Sequence, residues 1–172
     1  MHNQTCYDPL VLTHARALLT SGPEGVTDYI DADVRDPRAI LEAAAATLDF
    51  TQPTAVVLSG IINFVMDDAE AHAVVNQFVG AVPSGSYLLI SHPTTEVNGP
   101  AVQESMRRWN ATGAAPIRTR TVAEIRGFFD GLELLDPGVV TCTAWRPDPQ
   151  NSQDPNIISE VVSEFVAVGR KP

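Results

Sequence analysis

The sequence predicts an α/β domain with a mostly parallel sheet, on three observations. Hydrophobic segments alternate in kind along the chain, helical spacing giving way to short apolar runs and back again. The run Ala55–Leu58 is apolar at successive positions, as in a strand covered on both faces, and Tyr87–Ile90 repeats the pattern. Three of the expected strand ends are small or polar: Asp31 to Asp33, Ser59–Gly60 and Ser91–His92. Ligands of parallel sheets bind outside the carboxyl ends of the strands, so these three ends predict a shared pocket.

The elements follow in order. "DPLVLTHARALLTS" spaces Leu10, Leu12, Ala15, Leu18 and Leu19 as a helix does, and Gly22 and Gly25 follow it as stop signals. "GVTDYIDA" reads as a short strand around Val26 to Ile30. "DPRAILEAAAATLDF" is a second helix, with Asp36 as N-cap and Pro37 in its first turn. After the strand that opens "TAVVLSGIINFV" comes "DDAEAHAVVNQFVGAVP". This helix carries Asp67 and Asp68 where the dipole favours carboxylates, and it stops near Pro83. "GSYLLISHPT" is the next buried strand. "AVQESMRRWNATG" is a partly exposed helix, and "TVAEIRGFFDGLELL" starts with Thr121 and Glu124 in a capping-box arrangement. "GVVTCTAWRPD" and "EVVSEFVAVGRK" close the chain as strands. The polar "PDPQNSQDPNI" between them makes this last pair antiparallel.

Composition narrows the function. The 172 residues suffice for one domain, expected to span 1–172, and carry 44% apolar and 19% charged residues. With a net charge of −10 and no basic block, nucleic acid and anionic membrane surfaces are not expected partners. No apolar run reaches the roughly 20 residues of a membrane span, and "MHNQTCYDP" has no signal-peptide character. Cys6 and Cys142 form no metal-type pair, and a cytoplasmic setting is expected. No His/Cys/Asp/Glu cluster has metal spacing.

The polar strand ends each have two readings. The carboxylate-rich "DYIDADVRDP" is either a solvated turn or a place where Asp33 accepts hydrogen bonds from a nucleotide-like ligand. Gly60 suits a close backbone approach or a tight strand-to-helix turn. His92 has the near-neutral pKa of a general base, or serves structure alone.

The runs "YDPLVLTHARALL", "YIDADVRDPRAIL", "AVVLSGIINFVMDD", "PSGSYLLISHPT", "FFDGLELLDPGVV" with "WRPD", and the closing "VGRKP" occur in an order and spacing that resemble the actinobacterial S-adenosyl methyltransferase family. The resemblance implies a Rossmann-like methyltransferase fold with an antiparallel C-terminal strand, S-adenosylmethionine as cofactor and a small-molecule methyl acceptor. It implies that Asp33 accepts from the adenine amino group and that Val34 packs on the ring. Ser59 and Gly60 would line the adenosyl group, with His92 the candidate base. Asn63 stands where relatives often carry a His. Trp109, with Met106, Arg107 and Arg108, falls where such enzymes cover the acceptor, although amphipathic packing explains the same residues.

The resemblance also exposes a departure. The family's first strand and the Gly-rich loop that cradles the methionine part of the cofactor have no counterpart here. Cys6 or Tyr7 stands where an acidic residue usually holds the ribose. A sheet without that strand leaves a gap that the neighbouring strands close by pairing directly, that a second chain covers, or that the missing part of a longer protein fills; a homodimer covering the open edge is the preferred expectation. Two functions follow: a SAM-dependent methyltransferase of bacterial specialised metabolism, or a degenerate relative that serves as a partner subunit or binds or isomerises another small molecule.

Overall fold

The computed structural model describes residues 13, 17, 21–23, 25–147 and 162–172. The helix expected over residues 8–21 lies outside them except for Thr13 and Ala17, which are helical. Cys6, Tyr7 and His14 also lie outside.

Local chemistry fixes the helices where the sequence marks them. In α1 (Pro37–Ala44), the Asp36 side chain accepts from the Ala39 amide at 3.1 Å. This helix ends earlier than its apolar pattern suggested, because Ala45 to Thr47 turn and Asp49 then accepts from the Thr51 amide. Asp67 caps α2 (Asp68–Ala81), accepting from Glu70 at 2.8 Å. α2 buries Ala71, Val74, Val75 and Phe78, a single helical stripe. At its other end the Lys171 ammonium donates to the carbonyls of Val79 and Val82, satisfying acceptors the helix leaves open. α3 (Gly99–Ala111) buries none of its residues. α4 (Val122–Gly127) opens with the complete Thr121–Glu124 capping box. No described helix is long and apolar enough to cross a membrane.

The sheet is mixed. β1 (Ala55–Ser59) pairs in parallel with β2 (Tyr87–Pro93), with α2 in the crossover. β5 (Glu164–Arg170) lies antiparallel to β2 on one side. On its other side it pairs antiparallel with two-residue strands, β3 (Glu133–Leu134) and β4 (Val140–Thr141). The expected antiparallel pairing of the last two strands is therefore present, although the connection between them lies outside the described residues. The strand expected around Val26 to Ile30 is not formed. Among the described residues they join no ladder, and Val26 is 74% exposed. A strand needs a ladder as well as a sequence, and no strand pairing among the described residues includes these.

One face of the sheet carries the core. Leu58, Leu88, Ile90, Phe165 and Ala167 pack with the buried stripe of α2 and with Ile125, Phe128 and Phe129. Gly169 permits the closest approach in this layer: a Cβ there would lie 2.8 Å from Phe129 Cδ1 and 3.1 Å from Leu132 Cβ. Gly169→Ala is therefore expected to destabilise the fold by about 1–3 kcal/mol through overpacking, read as a lowered urea midpoint at unchanged slope.

Candidate functional site

The carboxyl ends of β1 and β2 meet the beginning of β5, and three polar side chains line up there. Ser91 donates to Glu164 Oε1 at 2.6 Å. Its Oγ lies 3.0 Å from Ser59 Oγ, and because the Ser91 proton is already engaged, Ser59 is the donor of that pair. The result is a directed chain from the exposed Ser59 through the buried Ser91 to a carboxylate. Gly60 follows with φ +62°, a backbone conformation that favours glycine. Nothing lies within 4 Å of a Cβ built on it, so conformation rather than crowding selects the residue. Its amide donates to the Ser91 carbonyl at 3.2 Å.

The Asp33 turn reaches the same end. Asp33 Oδ1 accepts from the Arg35 amide at 2.9 Å, and the Asp33 carbonyl accepts from the Asp36 amide at 2.9 Å. Oδ2 sits 3.9 Å from the Arg35 guanidinium, and the side chain keeps 31% exposure. Val34 packs against the core. Arg35 does more than pair with its acidic neighbour. Its Nη2 donates to the Phe64 carbonyl at 3.1 Å, tying the Asp33 turn to the 3-10 turn Ile62–Phe64 that follows β1. Asp33, Val34, Ser59 and Gly60 thus stand on elements joined at one end of the sheet.

His92 does not fit the base role expected of it. The ring is fully buried at 0% exposure. Its Nε2 lies 2.8 Å from Arg120 Nη1, and its Nδ1 lies 2.9 Å from the Pro93 carbonyl. A guanidinium only donates, so Nε2 is the acceptor and Nδ1 carries the hydrogen. No lone pair remains to take a substrate's proton. Burial, together with the positive charge of Arg120, pushes the His92 pKa down to about 4, while the bond to Pro93 opposes the shift.

Arg118 and Arg120 were not singled out in the sequence, yet they organise this region. Arg120, 2% exposed, donates to Asp68 Oδ1 at 3.0 Å, to the Ile62 carbonyl at 3.1 Å and to the Val65 carbonyl at 2.9 Å. Arg118 donates to the Met66 carbonyl and to the second oxygen of Asp68. Together they clamp the 62–68 turn against β2. The available signal was "RTRT": two arginines at period two, directly before a capping box, project to one side of an extended segment. Asn63, inside the clamped turn, is 4% exposed, and its Oδ1 has no partner.

A cavity of about 580 Å³ opens beside the strand ends, lined by Pro93, Asn98, Val102, Ser105, Met106 and Ser163. Pro93 is the register partner of Glu164, and Ser163 precedes that residue. Val102, Ser105 and Met106 come from α3, so the helix that buries nothing presents one face to this cavity. Arg107 and Arg108 are committed instead to Glu104, at 2.8 and 2.7 Å. Trp109, 43% exposed, donates to the Ala115 carbonyl at 2.8 Å. Among the described residues, no group of three or more His, Cys, Asp and Glu is placed to hold a metal ion.

A sequence profile described as "S-adenosyl methyltransferase" matches residues 5–172. The crystal structure of a DUF574 family protein from Streptomyces avermitilis superposes with a TM-score of 0.86 at 41% identity, over 96% of this chain and 63% of that one. A proposed methyltransferase from Thermobifida fusca gives 0.79 at 33% identity, over 95% of this chain and 60% of that one. An O-methyltransferase family protein from Burkholderia thailandensis shares the fold at a TM-score of 0.51 and 16% identity, over 84% of this chain and 35% of that one. No curated protein matches. The chain spans less than two thirds of the length of its Streptomyces and Thermobifida relatives. Fold, motif order and family match agree: the chain belongs to the S-adenosyl methyltransferase family and has the α/β methyltransferase fold.

Proposed function

We propose that this chain supplies the adenosine-holding and acceptor-facing part of a bacterial, cytoplasmic SAM-dependent methyltransferase that acts on a small molecule of specialised metabolism. The observation that carries this reading is the Arg35–Phe64 bond, which joins the Asp33–Val34 turn to the turn after β1.

The residues present fit the adenosine part of the cofactor. Among the described residues Asp33 Oδ2 takes part in no hydrogen bond and lies 3.9 Å from the Arg35 guanidinium, which leaves an acceptor for the adenine amino group. Val34 offers an apolar surface for the ring, and the uncrowded Gly60 lets the adenosyl group approach the backbone. When bound, S-adenosylmethionine supplies an electrophilic methyl group. The chain's contribution is to orient that group and the acceptor at close range. The acceptor occupies the cavity of about 580 Å³, within the range usual for small-molecule pockets. A proton released by the acceptor leaves through Ser59 and Ser91 to Glu164, in place of His92.

Asp33→Ala removes a charged acceptor and is expected to weaken adenosine-type ligands by about 1.5–3 kcal/mol, roughly ten- to a hundredfold. Thermal-shift titrations with S-adenosylhomocysteine and with adenosine, on wild type and variant, measure this. Equal shifts in both proteins would remove Asp33 from the site.

A further inference from the structure

The cavity beside the ends of β2 and β5 has walls of one chemical kind. Val102 and Met106 make it apolar, Pro93 and Pro100 make it rigid, and Ser105 and Ser163 add polar groups without charge. None of its described lining residues is charged. The arginines of the region are engaged elsewhere: Arg107 and Arg108 pair with Glu104, and Arg118 and Arg120 pair with Asp68. The sequence of residues 148–161, which precedes the Ser163 wall, contains no Lys or Arg. The charge that stands at this end is negative. Glu164 follows Ser163 and is the register partner of Pro93. Ser91 and Pro93 alternate to the same face of β2, and Ser91 donates to Glu164 at 2.6 Å. An anion in this cavity would meet that carboxylate without a cation to pair with, the costly arrangement for a buried charge.

Deepening the proposed function, and resting on its placement of the acceptor in this cavity, we infer that the acceptor is an uncharged, mainly apolar molecule methylated on a hydroxyl group. Molecules bearing a carboxylate or a phosphate are excluded. The serine relay selects the hydroxyl. An amine attacks through its own lone pair, whereas a hydroxyl is a weak nucleophile until a base takes its proton. Ser59 donates toward Ser91, so its oxygen lone pairs face the acceptor O–H as hydrogen-bond acceptors. The acceptor oxygen exchanges its proton for the methyl group. Its O–H bond breaks as the O–C bond forms, and the electron pair of the broken C–S bond stays on the sulfur of the sulfonium co-reactant. The proton passes to Ser59 Oγ, the Ser59 proton to Ser91 Oγ, and the Ser91 proton to Glu164 Oε1, which ends as a neutral carboxylic acid. Met106 is unbranched and adaptable, so the cavity discriminates by charge and polarity more than by ring shape.

The test titrates the 172-residue chain, with isotope-labelled methionine methyl groups and no cofactor, at neutral pH. The probes are 2-naphthol, its methyl ether 2-methoxynaphthalene, the anion 2-naphthoate and the cation 2-naphthylmethylammonium. The Met106 methyl resonance reports on the cavity. Naphthol is expected to bind most tightly, with naphthoate weaker by about tenfold or more and the ether, which lacks the donor, weaker by about fivefold. Ser59→Ala is expected to erase the difference between naphthol and its ether. Ser105→Arg places a cation at the wall, on a helix that buries none of its residues, and is expected to reverse the preference toward naphthoate. Naphthoate that binds the wild type as tightly as naphthol would overturn the inference. So would an ammonium that binds more tightly than naphthol, a naphthol-to-ether difference that survives Ser59→Ala, or a Met106 signal that no probe moves. Adenosine titrated into the same sample reads the Asp33 site separately, so failure here is distinguishable from failure of adenosine binding.

Discussion

Arg120→Met is expected to lower the melting temperature by about 10 °C, corresponding to a loss of about 3–5 kcal/mol in a domain of this size. The reason lies in what the guanidinium leaves behind. The carbonyls of Ile62 and Val65 and the Nε2 of His92 are all inward-facing acceptors of the same group. Each buried polar group left without a donor costs about 1–3 kcal/mol. Asp68 contributes less to the loss, because it is about half exposed and keeps Arg118. Arg120→Lys retains the charge but cannot span the same acceptors, and is expected to recover less than half of the loss. Circular-dichroism melts of the three proteins decide this. The clamp also holds the turn that carries Phe64, so adenosine binding should weaken in both variants more than distance from Asp33 alone would suggest.

The second large effect is a pH dependence assigned to His92. Its folded pKa of about 4 lies below the ordinary value of 6.5, so the unfolded chain binds the proton more readily. The contribution of His92 to stability is therefore complete above about pH 6.5 and is lost as pH falls toward about 4, reaching about 3 kcal/mol. Protonation would place a second positive charge beside Arg120 and remove the only acceptor that Nε2 offers. Urea midpoints measured every half unit from pH 4 to pH 8 should fall on the acid side for the wild type. His92→Gln, whose amide can accept from Arg120 but cannot titrate, should show a flatter profile over the same window. Parallel profiles would mean that other groups carry the acid sensitivity.

What the sequence reveals and what it conceals follow a physical division. Caps are local, and Asp36, Asp67 and Thr121 with Glu124 each make the bond their positions announce. The apolar runs of β1 and β2 likewise fall in register as parallel strands. Residues 26–30 carry strand composition without becoming a strand, because a ladder needs a partner that their own side chains do not specify. His92 sits at a strand's carboxyl end as expected, but its chemistry is set by an arginine 28 residues further on. In the same way the Asp33 turn was legible as a carboxylate cluster. Its attachment to Phe64, across 29 residues, was not.

The most direct measurement is a calorimetric titration of the isolated chain with adenosine and, separately, with S-adenosylhomocysteine, each repeated on Asp33→Ala. On the proposed reading, Asp33, Val34 and Gly60 hold the adenosine part, and among the described residues no Gly-rich turn follows a strand to hold the methionine part. The two ligands are therefore expected to bind alike, within about threefold, and Asp33→Ala is expected to weaken both by roughly tenfold or more. Silence from both ligands at millimolar concentration, or binding that Asp33→Ala leaves untouched, would contradict an adenosine site at this end of the sheet.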